Sequence, residues 1–145
     1  EAFGKGWRGT HDSDSAGIEM QPMAKALTEK EFTEAARYVH EARSESPEVT
    51  VSGDAARGAL LYQSCAACHG AKAEGNESLG GPALTTQNDW YLVTQLQNYK
   101  NAVRGSNAAD IYGQQMLAAT QLLPDDEAIR DVVSYISSLN QNEEN

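Results

Sequence analysis

Cysteine is almost absent from this chain of 145 residues: there are only 2, and both fall within one five-residue run. Once that run is given a role of its own, nothing remains for a disulfide framework. Long apolar stretches are missing as well. Nowhere do about 18 apolar residues follow one another, so no membrane-spanning helix is read. Basic residues are scarce, 11 against 21 acidic, and the net charge of −10 argues against nucleic acid and anionic membrane surfaces as partners. An acidic surface suits a basic docking patch on a partner protein and equally serves plain solubility. A signal peptide and an initiating methionine are lacking too; the chain begins at Glu1 and is read as a processed or cleaved product. Strand-like alternation is also missing, whereas helical periodicity recurs throughout, which predicts an all-α fold with long loops.

What is present centres on the run Cys65-Ala66-Ala67-Cys68-His69. In C-x-x-C-H the two thiols can each add across a vinyl group of haem, and the next residue is placed to ligate the iron. The pattern predicts one covalent haem c held through Cys65 and Cys68, with His69 as an iron ligand. Two alternatives compete. A thioredoxin-like dithiol wants a strand before the motif and a βαβ pattern around it, and nothing near Cys65 reads as a strand. A structural zinc site needs four ligands and would have to recruit two of His11, His40 and His69, of which the first two show no ligand spacing.

Punctuation divides the chain. Residues 44–52, with Pro47 and no helical period, read as a linker. Residues 54–64 read as a helix leading into Cys65, with Gly58 suited to a close helix crossing. The stretch 70–82, holding Gly70, Gly75, Gly80, Gly81 and Pro82, reads as a loop around one edge of the cofactor. Residues 89–103 carry Trp90, Leu92, Val93, Leu96 and Tyr99 at helical spacing. Residues 104–123 read as loop-like around Gly105 and Gly113. A last helix over 124–139 has Pro124 in its first turn and acidic residues at its positive end.

Sliding the chain against itself at an offset of 96 aligns Phe3 with Tyr99, Arg8-Gly9 with Arg104-Gly105, Gly17 with Gly113, Met20 with Met116 and Leu27 with Leu123. Residues 1–43 therefore read as the back half of a second, truncated or degenerate domain without a cofactor motif, followed by the 44–52 linker and a complete domain over 53–145. Thr28 to Glu31 reads as a capping box opening the last helix of the half-copy. Packing on the intact domain, or pairing with another chain as a dimer through 1–43, would give that half-copy a structural role.

With His69 on one side of the iron, the other side takes a ligand or stays open. Met20, Met23 and Met116 are the methionines available, and Met116 sits where a chain returning over the haem would pass; a thioether favours ferrous iron. Trp90, Tyr91 and Leu96, with Leu79, Pro82, Leu84, Leu117 and Leu122, are candidates for the lining, and Gln95 and Arg104 for a propionate.

These residues together resemble a class I cytochrome c, most closely one domain of the bacterial dihaem c4 type. The likeness covers about 53–139: the helix into Cys65-Ala66-Ala67-Cys68-His69-Gly70, the loop Gly80-Gly81-Pro82-Ala83-Leu84, the Trp90-Tyr91-Leu92 to Gln95-Leu96 helix, Met116 and the last helix. The resemblance implies helices packed around haem c, first and last helices crossing at Gly58 and Tyr135, the Pro82 carbonyl on the second nitrogen of His69, and Met116 as distal ligand. It also implies a periplasmic electron carrier, not an enzyme, between a dehydrogenase or quinol-oxidising complex and a terminal oxidase or reductase of a respiratory chain. A haem enzyme with an open distal site and a redox subunit docked in a larger complex are the alternatives.

Overall fold

The computed structural model describes residues 2–42 and 48–141; residues 44–47 of the expected linker lie outside them. Among the described residues there are six α-helices and no strand: α1 Ser15–Ala26, α2 Glu29–Glu41, α3 Ala55–His69, α4 Asp89–Lys100, α5 Ile111–Thr120 and α6 Asp126–Gln141. Their starts follow from local chemistry. The Asp54 carboxylate accepts from the N–H groups of Ala56 and Arg57 to open α3, and the Asp125 carboxylate accepts from Ala128 N–H to open α6. Thr28 and Glu31 form a reciprocal capping box at α2. Each such cap is worth about 0.5–2 kcal/mol.

The core lies between α3, α4 and α6. Tyr62, Leu92, Leu96, Leu123, Ile129, Val132, Val133 and Ile136 are its large buried members. The pairing of α3 with α6 is the most extensive between helices, and Gly58 makes it possible: a Cβ there would fall on the Asp131 carbonyl. Tyr62 and Tyr135 stack beside the crossing with ring centroids 5.4 Å apart. Asp131, 2 % exposed, ties the same two helices by accepting from Asp54 N–H at 2.7 Å and from Arg57 Nη1 at 2.8 Å.

α4 ends at Lys100, short of the expected 103, and α6 starts at Asp126, so Pro124 precedes it and does not sit in its first turn; two further elements differ more from the sequence reading. α3 does not stop at residue 64; no helix breaker stands before Gly70, so the whole Cys65–His69 run forms its last turns, and Gly70 ends it at φ +83°. Residues 111–120, read as loop, are the helix α5. Its N-cap is Asp110, which accepts from Gly113 N–H at 2.9 Å.

The N-terminal part repeats that local geometry. Asp14 caps α1 by accepting from Gly17 N–H at 3.0 Å. Gly9 (φ +76°) lies on the Gly17 carbonyl as Gly105 (φ +81°) lies on the Gly113 carbonyl. The Arg8 guanidinium stacks 4.7 Å from the Phe3 ring, and that of Arg104 4.6 Å from the Tyr99 ring. What α1 and α2 lack is a covering layer: Met20, Met23, Leu27, Tyr38 and Val39 are exposed, and α2 has no buried residue.

Candidate functional site

α3 delivers three donors to one place. Helical spacing puts Cys65, Cys68 and His69 on one face, and all three line a cleft of about 480 Å³. That size lies within the range of cofactor sites. The cleft is closed by the 79–84 loop, by Tyr91, Leu92, Gln95, Leu96 and Tyr99 of α4, by Met116 and Thr120 of α5, and by Val132 and Ile136 of α6.

His69 is 6 % exposed, and its Nδ1 stands 2.8 Å from the Pro82 carbonyl. A carbonyl only accepts, so Nδ1 carries the proton and Nε2 is left with a free lone pair, the arrangement of a metal-binding imidazole. The loop is shaped for this contact. A Cβ on Gly81 would fall on the Cys68 carbonyl, and the bridge between Asn76 and Gly81 sets the turn that brings Pro82 back. Gly75 N–H donates to the His69 carbonyl and Tyr62 Oη to the Gly70 carbonyl, each fixing the end of α3. Burial pushes the Cys65 thiol up, against a smaller opposing pull from the Ser64 hydroxyl, so the free side chain stays a thiol at neutral pH. Burial likewise raises Tyr62 well above the ordinary phenol value.

The other end of the cleft is polar. Arg104 Nη1 donates to Gln95 Oε1 at 2.9 Å, and the guanidinium covers Tyr99. Burial raises the Tyr99 hydroxyl; Arg104 and Arg8 pull it down and Asp110 pushes it up.

Of the residues singled out from sequence, Cys65, Cys68, His69, Pro82, Tyr91, Leu96, Arg104, Gln95, Leu79, Leu84 and Met116 all face this cleft. Trp90 does not: it is 56 % exposed and packs edge-on against Tyr91. One residue is about 100° of helix, and the inward face of α4 runs through Leu92, Gln95, Leu96 and Tyr99, which turns Trp90 outward. Leu122 is 65 % exposed, and neither it nor Leu117 lines the cleft. Tyr99 and Leu92 were readable only as helix periodicity, and Ala2, which also lines the cleft, carries no signal in the sequence. Among the described residues no group of three or more His, Cys, Asp or Glu side chains converges, so the four-ligand zinc alternative has no ligand set there.

The donor set fits haem c: two thiols and an oriented imidazole on one wall, a thioether on the rim and apolar side chains between. Comparisons agree. The family model described as cytochrome c matches residues 55–140. A cytochrome c4 of Thiocapsa roseopersicina is 29 % identical over 87 % of this chain and 68 % of its own length. Cytochrome c-554(548) of Halomonas halodenitrificans is 36 % identical over 60 % of this chain and 98 % of its own. The cbb3-type cytochrome c oxidase subunit FixP of Sinorhizobium medicae is 26 % identical over 71 % of this chain but only 37 % of that protein. The solved cytochrome c4 of Acidithiobacillus ferrooxidans superposes with a TM-score of 0.71 at 22 % identity, covering 94 % of this chain and 79 % of that one.

Proposed function

Because the chain belongs to the cytochrome c family, we propose that it is a periplasmic electron carrier in which His69 and Met116 hold the iron of one haem c. That it is a haem c electron-transfer protein of all-α, class I cytochrome c fold stands on its relatives and its structure; the ligand pair, the lining residues and the compartment are our reading. The observation that carries it is the convergence of Cys65, Cys68, His69 and Met116 on one cleft, with the Pro82 carbonyl orienting the imidazole.

Each residue then has a task. Cys65 and Cys68 bind the cofactor covalently, so it cannot dissociate between encounters. His69 offers Nε2 to the iron while Pro82 fixes the ring plane. Met116 offers a neutral, soft sulfur that favours the ferrous state. Leu92, Leu96 and Ile136 exclude water, and Tyr99, Gln95 and Arg104 form the polar end that would meet the propionates. Bound there, haem supplies one-electron exchange at its iron. With Met116 as a ligand the iron would keep no position free for a substrate, which favours a carrier over an enzyme. Partners are redox proteins of a respiratory chain, a dehydrogenase or quinol-oxidising complex on one side and a terminal oxidase or reductase on the other. No helix among the described residues is long and apolar enough to cross a membrane.

Residues 1–43 belong in this reading as a back half-domain. The paired caps Asp14 and Asp110, the paired glycine contacts and the paired arginine–aromatic stacks support it. The exposed apolar side of α2 favours a docking or self-associating role for this piece.

The test is the ultraviolet, visible and near-infrared spectrum of the purified chain in both oxidation states, with iron counted per chain. One low-spin haem with the weak sulfur–iron band, lost in Met116→Ala, is the expected result. Persistence of the band in that variant would assign the ligand to Met20 or Met23 instead. A high-spin spectrum that responds to small added ligands would put the enzyme reading first.

A further inference from the structure

The half-copy does more than sit beside the cofactor domain. Ala2 is part of the cleft wall, together with Tyr99, Arg104 and Asp110. Its carbonyl accepts from Trp7 N–H at 2.8 Å and from Arg8 N–H at 3.3 Å, closing a loop that holds the Arg8 backbone against Ala2. Gln21 Nε2 donates to the Arg8 carbonyl at 3.0 Å and anchors the loop to α1. The Arg8 side chain is 10 % exposed, stacks on Phe3 and faces Asp14, itself 3 % exposed, with Arg8 Nε 3.5 Å from Asp14 Oδ2. Among the described residues neither of those two atoms has a hydrogen-bond partner. A buried ion pair held by charge and lacking that bond is an expensive feature. Nothing in the capping of α1 demands it, because Asp14 already caps the helix through Oδ1.

We propose that the N-terminal arm completes the polar-edge wall of the haem cleft through Ala2 and that the charges of the buried Arg8–Asp14 pair tune the reduction potential. This rests on the electron-carrier reading above. Oxidation leaves one more positive charge in the cleft, so a nearby cation disfavours the ferric state and a nearby anion favours it; both effects are strongest where water is excluded. The backbone of Arg8 is bonded to Ala2, a residue of the cleft wall, and its charge, like that of Arg104, pulls down the Tyr99 hydroxyl that burial raises. Ala2, bonded to Arg8 through the backbone, thus stands in the same wall as Tyr99 and Arg104, and the copy without a cofactor motif lends its charge to the copy with one.

The experiment is redox titration of the full chain and of Arg8→Gln, Arg8→Lys and Asp14→Asn, with haem per chain and the visible spectrum recorded for each. One low-spin haem in every variant keeps the carrier reading intact whatever the potentials do, so the two ideas fail separately. The expected result is a lower midpoint in Arg8→Gln, a higher one in Asp14→Asn, which keeps the helix cap, and a value near the parent in Arg8→Lys. A purely structural role for the arm would admit water and move Arg8→Gln and Asp14→Asn in the same direction; that outcome, or no shift in either, overturns the proposal. Should Arg8→Gln fail to fold, the contrast between Arg8→Lys and Asp14→Asn decides it alone.

Discussion

Asp89 shows what a single residue does for this fold that no motif announced. It is 1 % exposed and accepts four hydrogen bonds: from Thr50 N–H at 2.5 Å, Thr50 Oγ1 at 2.7 Å, Val51 N–H at 2.6 Å and Trp90 N–H at 2.6 Å. One carboxylate therefore anchors the chain segment entering the haem domain to the start of α4. Burial alone would raise its pKa, but the Thr50, Val51 and Trp90 donors together outweigh it and hold the carboxyl below its ordinary value of 3.8. A carboxyl lowered on folding stabilises above its unfolded value, and that contribution is lost as the pH falls below 3.8 toward the folded one. Asp89→Asn keeps the size but leaves one oxygen for four donors, so it should cost about 1–3 kcal/mol at neutral pH. Urea unfolding at pH 7 and along the acid limb checks this: the variant should be weaker at pH 7, and its gap to the parent should shrink as the acid deepens. Cys65, Cys68 and His69 were legible because their spacing encodes their chemistry. Asp89 was not, since its partners Thr50 and Val51 lie 39 and 38 positions away in the chain.

At the scale of elements, legibility followed the apolar stripe. α6 buries Ile129, Val132, Val133 and Ile136 on one face, a pattern any helical reading finds. α5 has no such stripe, because Ile111 stands 65 % exposed while Tyr112, itself 59 % exposed, and Met116 line the cleft; its apolar residues serve two surroundings, and the period blurs. The sequence does carry a sign of this helix that its loop reading passed over, the cap Asp110 three residues before Gly113, repeated by Asp14 before Gly17. The α3–α6 crossing carries a sharper expectation. Gly58→Ala gains about 1 kcal/mol of helix propensity, yet its Cβ would fall on the Asp131 backbone carbonyl and stand 3.0 Å from Tyr135 Cβ. Backbone cannot yield as a flexible side chain does, and overpacking costs about 1–3 kcal/mol, so a net loss is expected. Thermal unfolding of the haem-loaded variant should show a lower midpoint. A rise would mean the crossing is looser than this geometry.

For the whole molecule, the question is how far the part that carries the Cys65–His69 motif depends on residues 2–42. The large buried side chains of the core cluster all come from Tyr62 to Ile136, and the partly buried residues packed on them run from Val51 to Leu139; none belongs to residues 2–42. The Halomonas relative matches along 98 % of its length over only 88 residues, which makes a stand-alone domain of that size physically reasonable. A chain trimmed to residues 48–145 should therefore fold, take up one haem and unfold cooperatively, because the area that stabilises it is intact. Its cleft should not be intact. Ala2 and the buried Arg8 leave with the arm, Tyr99 gains solvent, and the polar edge of the cofactor opens to water. Circular dichroism per residue and iron per chain should then match the full chain, while the midpoint potential and its dependence on ionic strength should not, since newly exposed charges are screened by salt and buried ones are not. Failure to load haem would instead make residues 2–42 an obligatory part of the fold, a result that the composition of the core argues against.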